Sequence, residues 1–314
     1  MRHALDQYSD RLRRPIECED CKRVETVTYR DLLKGLELVD AWLCERGLKQ
    51  QTDRIRTNKR DIEILADAFD EGRLEKVIEE AGDDRRRELM WSLAESTEFV
   101  DSIDALRKQG CEIPDKVLKD ALDGPADLQS ESEKSSRGRN TMFEIAIAGR
   151  LARAGLRPTL GQEPDVHTEF HDRKIFIQCK RVFSENGISK RLVEAGKQLK
   201  RDLMRSCDPR DCGIIAISIS RAFNKGDKLL VAHDEDALRR KLNDEIDAIM
   251  RVAVEDYRHV TEPKIAGVLY HLSTPAFLEG VSMYMGAHSV TVATIPGRSD
   301  KTLLESVAED LATR

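Results

Sequence analysis

A chain of 314 residues with 40% hydrophobic and 35% charged side chains is long enough for two cores and too polar to be embedded in a membrane. Aromatic residues make up only 5%, which speaks against a large all-β architecture, and no apolar run approaches the roughly eighteen residues of a membrane span. The net charge of −6 argues against indiscriminate nucleic-acid binding by the whole chain, yet between Arg137 and Arg210 sixteen Lys and Arg stand against nine Asp and Glu. A basic segment on an acidic body suggests a working surface for a polyanion, and two differently charged solvated faces are the plain alternative.

The first residues, Met1 to Gln7, contain no apolar signal core, so the expected location is the cytoplasm, with no membrane partner. Seven cysteines, an odd number in a long chain, argue against a secreted disulfide framework. Cys18 and Cys21 form one CxxC, and Cys207 and Cys212 stand five apart. Neither spacing is diagnostic of zinc, and ordinary thiols are the better reading.

Residues 1 to about 27 read as irregular. A helix is expected from Thr28, its N-cap, through Leu32, Leu36, Val39 and Leu43 to a stop at Gly47. A second helical stretch runs from about Thr52 to Glu80 with a break near Gly72, a third from about Asp83 to Lys108, and a short fourth begins at Pro114. Residues 1–125 therefore read as an all-helical domain suited to substrate or partner recognition and to oligomerisation. Residues 123–138 are polar and rich in Ser, Gly and Pro; 126–138 reads as a linker, and 139–314 as a second domain.

In that second domain a helix is expected over about 139–154, with Phe143, Ile147 and Leu151 at steps of four and Gly155 at its end. A short strand candidate covers Arg157 to Leu160. Ile188 to Ser206 is an amphipathic helix, and Gly213 to Ile219 is a near-continuous apolar run, as in a strand buried on both faces. A long helix is expected at about 234–258, strands at Lys264 to His271 and Ser289 to Ile295, and a last helix at about 300–312. The pattern describes an α/β layered domain.

The chemistry centres on Pro164-Asp165 and Gln178-Cys179-Lys180-Arg181. With His171 and Asp172 as a two-residue hairpin loop, Phe170 faces Arg173, and counting back puts Asp165 opposite Gln178. Gln178 and Lys180, two apart in one strand, share that face. A carboxylate, a carboxamide and an ammonium would converge, which is equipment for holding a hard divalent cation beside a phosphate. A slip of one residue would send Asp165 to the other face.

Pro164-Asp165 followed by Gln178-Cys179-Lys180, in the order helix, three strands, helix, strand, resembles the PD-(D/E)XK nuclease superfamily, the restriction-endonuclease-like fold. The string Ile175 to Arg181, with Gln in place of the usual acidic residue, is most similar to the Mrr-like restriction endonucleases. The resemblance covers roughly residues 138 to 220. It implies an α-β-β-β-α-β core with a mixed central sheet flanked by helices, and a metal-dependent endonuclease that hydrolyses DNA phosphodiester bonds in a prokaryotic restriction or anti-phage defence setting. The cofactor it implies is Mg2+ or Mn2+, with Asp165, Gln178 and Glu144 as ligands and Lys180 completing the catalytic set.

A neutral Gln178 leaves such a site one negative charge short. Lys180 would stabilise charge developing on phosphoryl oxygens. Lys190, Lys197, Gln198, Arg201 and Arg205 suggest a phosphate-tracking helix face, for duplex more than single-stranded DNA. Glu163 and His167 share the strand parity of Asp165 and would stand behind it. Cutting both strands calls for two sites, hence an expected homodimer, and the N-terminal helices offer a surface for a protein partner. The alternatives are a nuclease-fold subunit that is silent until a partner acts, and a Holliday-junction resolvase-like or RNA-directed nuclease.

Overall fold

The computed structural model describes residues 28–48, 54–132, 135–206 and 208–295. Cys18, Cys21, Cys207 and the helix expected at about 300–312 lie outside the described residues.

Helix α1 (Tyr29–Glu45) starts where its sequence says it should. The Thr28 hydroxyl accepts from the Asp31 N–H at 3.1 Å, and the Asp31 carboxylate accepts from the Thr28 N–H at 3.2 Å, a reciprocal capping box. The expected long second helix is two pieces, α2 (Arg54–Asp70) and α3 (Leu74–Glu80), parted at Gly72. Its φ of +66° is one that a residue with a Cβ adopts only at a cost. Helices α4 (Gly82–Lys108), α5 (Asp115–Leu122) and α6 (Arg137–Arg153) follow.

The sheet has seven strands: β1 (Thr159–Leu160), β2 (Val166–Phe170), β3 (Arg173–Arg181), β4 (Cys212–Ser218), β5 (Leu230–Ala232), β6 (Ile265–Leu278) and β7 (Met283–Thr294). Between them run α7 (Ile188–Arg205), the single turn α8 (Ser220–Phe223) and α9 (Glu235–Ala253), which a 3-10 segment continues to His259. Strands β1, β2 and β3 form an antiparallel meander, β3, β4 and β6 are parallel, and β7 returns antiparallel along the far edge of β6. The short β5 continues on the β6 edge that β4 leaves. The chain is thus an α/β protein with a mixed sheet between two helical layers.

β4 shows the layering most directly. Ile214 and Ala216 join one buried apolar cluster with α4, α5 and α6, while Ile215 and Ile217 join another with α7 and α9. Each large side chain fully buried in these clusters contributes about 1.5–3 kcal/mol.

Three expectations are revised. First, strands β6 and β7 are longer than the apolar runs that announced them. Pro275, ordinarily a strand breaker, falls in the gap between the stretch of β6 paired with β4 and the stretch paired with β5. Second, β5 was not expected at all. Third, the stretch 126–138 is anchored and the core runs past it. Leu128 and Glu131 are buried, and one cluster joins Val39, Leu43, Phe99 and Leu118 to Phe143, Ile147, Ile177 and Ile214. Helices α4 and α6 touch closely enough that a Cβ at Gly149 would stand 2.6 Å from the Ser102 Cα, so only glycine fits there. Among the described residues no helix is long and apolar enough to cross a membrane.

Where α4, α6, β6 and β7 meet, a charged group is enclosed. His271 Nε2 lies 2.6 Å from Glu98 Oε1, and His288, Arg150 and Arg153 stand in the same field. Burial, then the Arg150 charge, pushes the His288 imidazole down to about 3, with Glu98 opposing and His271 and Arg153 adding to the shift. A folded-state value below the unfolded one means that the unfolded chain takes up the proton first. The associated stability is complete above about pH 6.5 and is lost as pH falls toward 3. His288 is only partly buried, so a loss of about 1 kcal/mol between about pH 7 and pH 5 is expected in urea titrations, and His288→Gln should remove most of it. Glu98, held at about 2 by His271 against its own burial, adds a loss only below about pH 4.5.

Candidate active site

The hairpin register is the one expected. Phe170 pairs with Arg173 and Val166 with Ile177, around a loop in which His171 (φ 47°) and Asp172 (φ 59°) are both left-handed, as a primed two-residue turn requires. Asp165 stands one residue beyond the last pair, level with Gln178. Its Oδ2 accepts from the Gln178 side-chain amide and, at 2.8 Å, from the Cys179 backbone N–H. The carboxylate is thereby fixed by two donors on one oxygen, and Oδ1 takes part in neither bond.

Gln178 and Lys180 pair with Ile215 and Ile217, which face α7, so both side chains lie on the α7 side of the sheet. Glu144 arrives from α6, on the other side. Strand β2 stops at Val166 and leaves the edge of β3 from Gln178 to Arg181 without a strand partner. At that opening Glu144 enters the fields of both Asp165 and Lys180. The structure therefore sets Asp165, Gln178 and Lys180 on one face, and Glu144, from the other side of the sheet, acts on Asp165 and Lys180 through its charge.

The electrostatics are those of an anion-rich pocket short of positive charge. Burial, reinforced by the Asp165 charge and opposed by Lys180, pushes the Glu144 carboxyl up to about 8. Burial also raises Asp165, against the pull of Lys180 and the Cys179 N–H. The Lys180 side chain is only 14% exposed, and its nearest carboxylate oxygen is Glu194 Oε1 at 3.9 Å.

Glu194 lies outside the set of residues expected at the site. It is shared with Arg191, whose guanidinium donates to it at 2.8 Å. Asp202, two turns further along α7, is buried and lies in the field of Asp165. Glu194, Gln198 and Asp202 thus form a strip at steps of four along the site, and Gln198 Oε1 is buried there without a hydrogen-bond partner. The four-residue spacing beside a strand lysine was the available signal.

The remaining expected residues divide. Lys190, Lys197 and Arg201 are exposed and, by helical spacing, follow the edge of that strip. Arg205 is exposed too but engaged with Glu163 at 3.1 Å and Asp202 at 3.6 Å. Glu163 is mostly exposed and acts on Asp165 only through its charge. His167 packs its ring toward Phe176, centroids 6.3 Å apart, and makes no hydrogen bond to Asp165, Gln178 or Lys180.

Whether these residues suit a divalent cation follows from their donors. Asp165 and Glu144 are carboxylates whose anionic forms are both disfavoured by burial, a penalty that a cation between them would reverse. With the Gln178 carboxamide they make an oxygen-only set, as Mg2+ or Mn2+ prefers. No cluster of three or more His, Cys, Asp or Glu arranged for a metal occurs among the described residues. The set fits a hard cation that keeps several of its own waters. Comparisons with protein-family models, with curated proteins and with solved structures give no match to this chain.

Proposed function

We propose that the chain is a metal-dependent endonuclease with a restriction-endonuclease-like core, hydrolysing DNA phosphodiester bonds at Asp165, Gln178, Lys180 and Glu144. The observation that carries this reading is Lys180, a mostly buried ammonium at an open strand edge whose charge acts on the carboxyls of both Glu144 and Asp165. A lysine in so apolar a strand is costly unless its charge is used. The element order α6, β1, β2, β3, α7, β4, with β3 parallel to β4, supports the fold assignment.

In this reading Asp165, Glu144 and the Gln178 oxygen hold Mg2+ or Mn2+, which when bound supplies Lewis-acid stabilisation and an activated water. Lys180 stabilises the charge that builds on the phosphoryl oxygens, and its reach toward Glu194 keeps the ammonium on the α7 side of the strand. Gln178 orients Asp165 through its amide N–H. Lys190, Lys197 and Arg201 track the phosphates beyond the cut, giving affinity without base selection.

Supercoiled plasmid with Mg2+ tests it. The unaltered chain should nick or linearise the plasmid, and Lys180→Ala should reduce the rate by about 100-fold or more. Equal cleavage by both would sink the site. Metal binding without cleavage by either would favour a subunit that is silent until a partner acts.

A further inference from the structure

A partly open pocket lies away from Asp165 and Lys180. It is a cavity of about 470 Å3 between α2, α4 and the 126–129 segment, walled by Thr57, Asn58, Trp91, Gln129, Arg139 and Gly226, among others. Its size is that of a small-molecule pocket. Three observations say what it suits. The indole Nε1–H of Trp91 is buried with no hydrogen-bond partner, a donor whose desolvation is uncompensated until an acceptor arrives. The position beside it has no side chain, and the Gln129 amide uses that room: a Cβ at Gly226 would collide with Gln129 Nε2 and stand 3.6 Å from the indole nitrogen.

Most charges around the cavity, moreover, are already matched; Arg60, mostly exposed at its rim, stands 3.7 Å from Asp61. Asp61 accepts from Arg85 at 2.6 Å and from Ser92 at 2.7 Å, Glu88 from Arg85 at 3.0 Å, Glu95 from Arg139 and Asp84 from Arg87. Asp127 accepts from the backbone N–H groups of Gln129 and Ser130. What remains for a ligand is an aromatic wall, an unused N–H donor, the Asn58 carboxamide, the Gln129 carboxamide oxygen (its N–H donates to the Lys225 carbonyl) and the Thr57 hydroxyl. That combination rejects a bare anion and a purely apolar molecule. It suits a neutral, flat heterocycle with acceptor and donor atoms at its edge.

We infer that this cavity binds a nucleobase, with a ring nitrogen or carbonyl oxygen of the base accepting from Trp91 Nε1–H. The base can arrive as a free nucleoside or nucleotide, or as part of a nucleic-acid strand. Arg139, on the cavity wall, and Glu144, in the candidate active site, lie five residues apart on α6, about 7.5 Å along its axis. An occupied cavity therefore borders the helix that delivers the Glu144 carboxylate.

Trp91 is its own probe, because the chain has only two tryptophans. In a Trp42→Phe background, adenosine, guanosine, cytidine and thymidine are titrated singly, and a single-stranded oligonucleotide of mixed sequence forms a second arm, with Trp91 emission as readout. Saturable change with at least one nucleoside, weakened tenfold or more by Thr57→Phe, which fills the cavity from its wall, supports a free-ligand site. The same pattern with the oligonucleotide alone assigns the cavity to a strand-borne base. No change in either arm, or a change that Thr57→Phe leaves intact, overturns the proposal. If Trp42→Phe does not fold, the shift in unfolding midpoint of the unaltered chain with each ligand, against Thr57→Phe, decides in the same way. The readout is binding, so a failure here leaves the hydrolytic reading standing.

Discussion

Gln178→Glu is expected to make the stability of this chain depend on divalent cation. In the native site the Gln178 amide donates to Asp165 Oδ2, and the side chain is almost fully buried. A glutamate there removes the donor and sets a second carboxylate against Asp165, whose charge already acts on Glu144. In chelator the variant should lose about 2–4 kcal/mol, the range for a buried hydrogen bond replaced by like-charge contact. Excess Mg2+ should restore most of that loss. Its affinity should exceed that of the unaltered chain by tenfold or more, since charge count is a main lever on hard-cation sites. Calorimetric Mg2+ titration and thermal melts with and without chelator give both numbers. A folded variant with unchanged Mg2+ affinity would remove Gln178 and Asp165 from the metal site.

The largest loss of stability from one substitution is expected at Glu131. Its side chain is fully enclosed and accepts from both terminal nitrogens of Arg181, at 2.6 and 3.2 Å, while the arginine side chain is itself 8% exposed. Glu131→Ala leaves the Arg181 guanidinium buried with a single long hydrogen bond to Asn140 Oδ1, at 3.5 Å, and the Phe183 ring 5.8 Å away. Breaking one side of a buried pair costs about 3–5 kcal/mol. Glu131→Gln, which keeps one acceptor oxygen, should cost less, and Arg181→Met added to Glu131→Ala should recover part of the loss because no charge is then stranded. Urea unfolding of the three variants orders them. Because Arg181 follows Lys180 on β3, Glu131→Ala should also lower any cleavage rate. An unfolding midpoint for Glu131→Ala equal to that of the unaltered chain would show that the pair is not structural.

Much of the site was legible because it is local. Two strands of known parity and a two-residue loop fix which side chains of residues 165–180 meet, and the structure has that register although His171-Asp172 is an uncommon primed-turn pair. Capping and glycine signals placed α1 and the break at Gly72 for the same reason. The role of Gln178 was half legible: the sequence offered its oxygen to a cation, and the structure adds that its N–H steadies Asp165. The residues that escaped were those whose partners are distant in sequence. Glu194 looks like any charged residue on an amphipathic helix until α7 crosses Lys180. Glu131 sits in a polar, Ser-rich stretch whose composition is the same whether it is solvated or clamped to a strand. Trp91 carries no periodic signal that tells a cavity wall from a core position.

The apolar cluster shared across residues 126–138 has a consequence for cooperativity. Because Phe99, Leu118, Ile147 and Ile177 are parts of one packed body, the helices before that stretch and the sheet after it share a melting event instead of having one each. A perturbation anywhere along this body, at the Trp91 cavity or at Asp165, is then registered by the whole molecule. Strand β3 and helices α1, α2 and α4 stand or fall together.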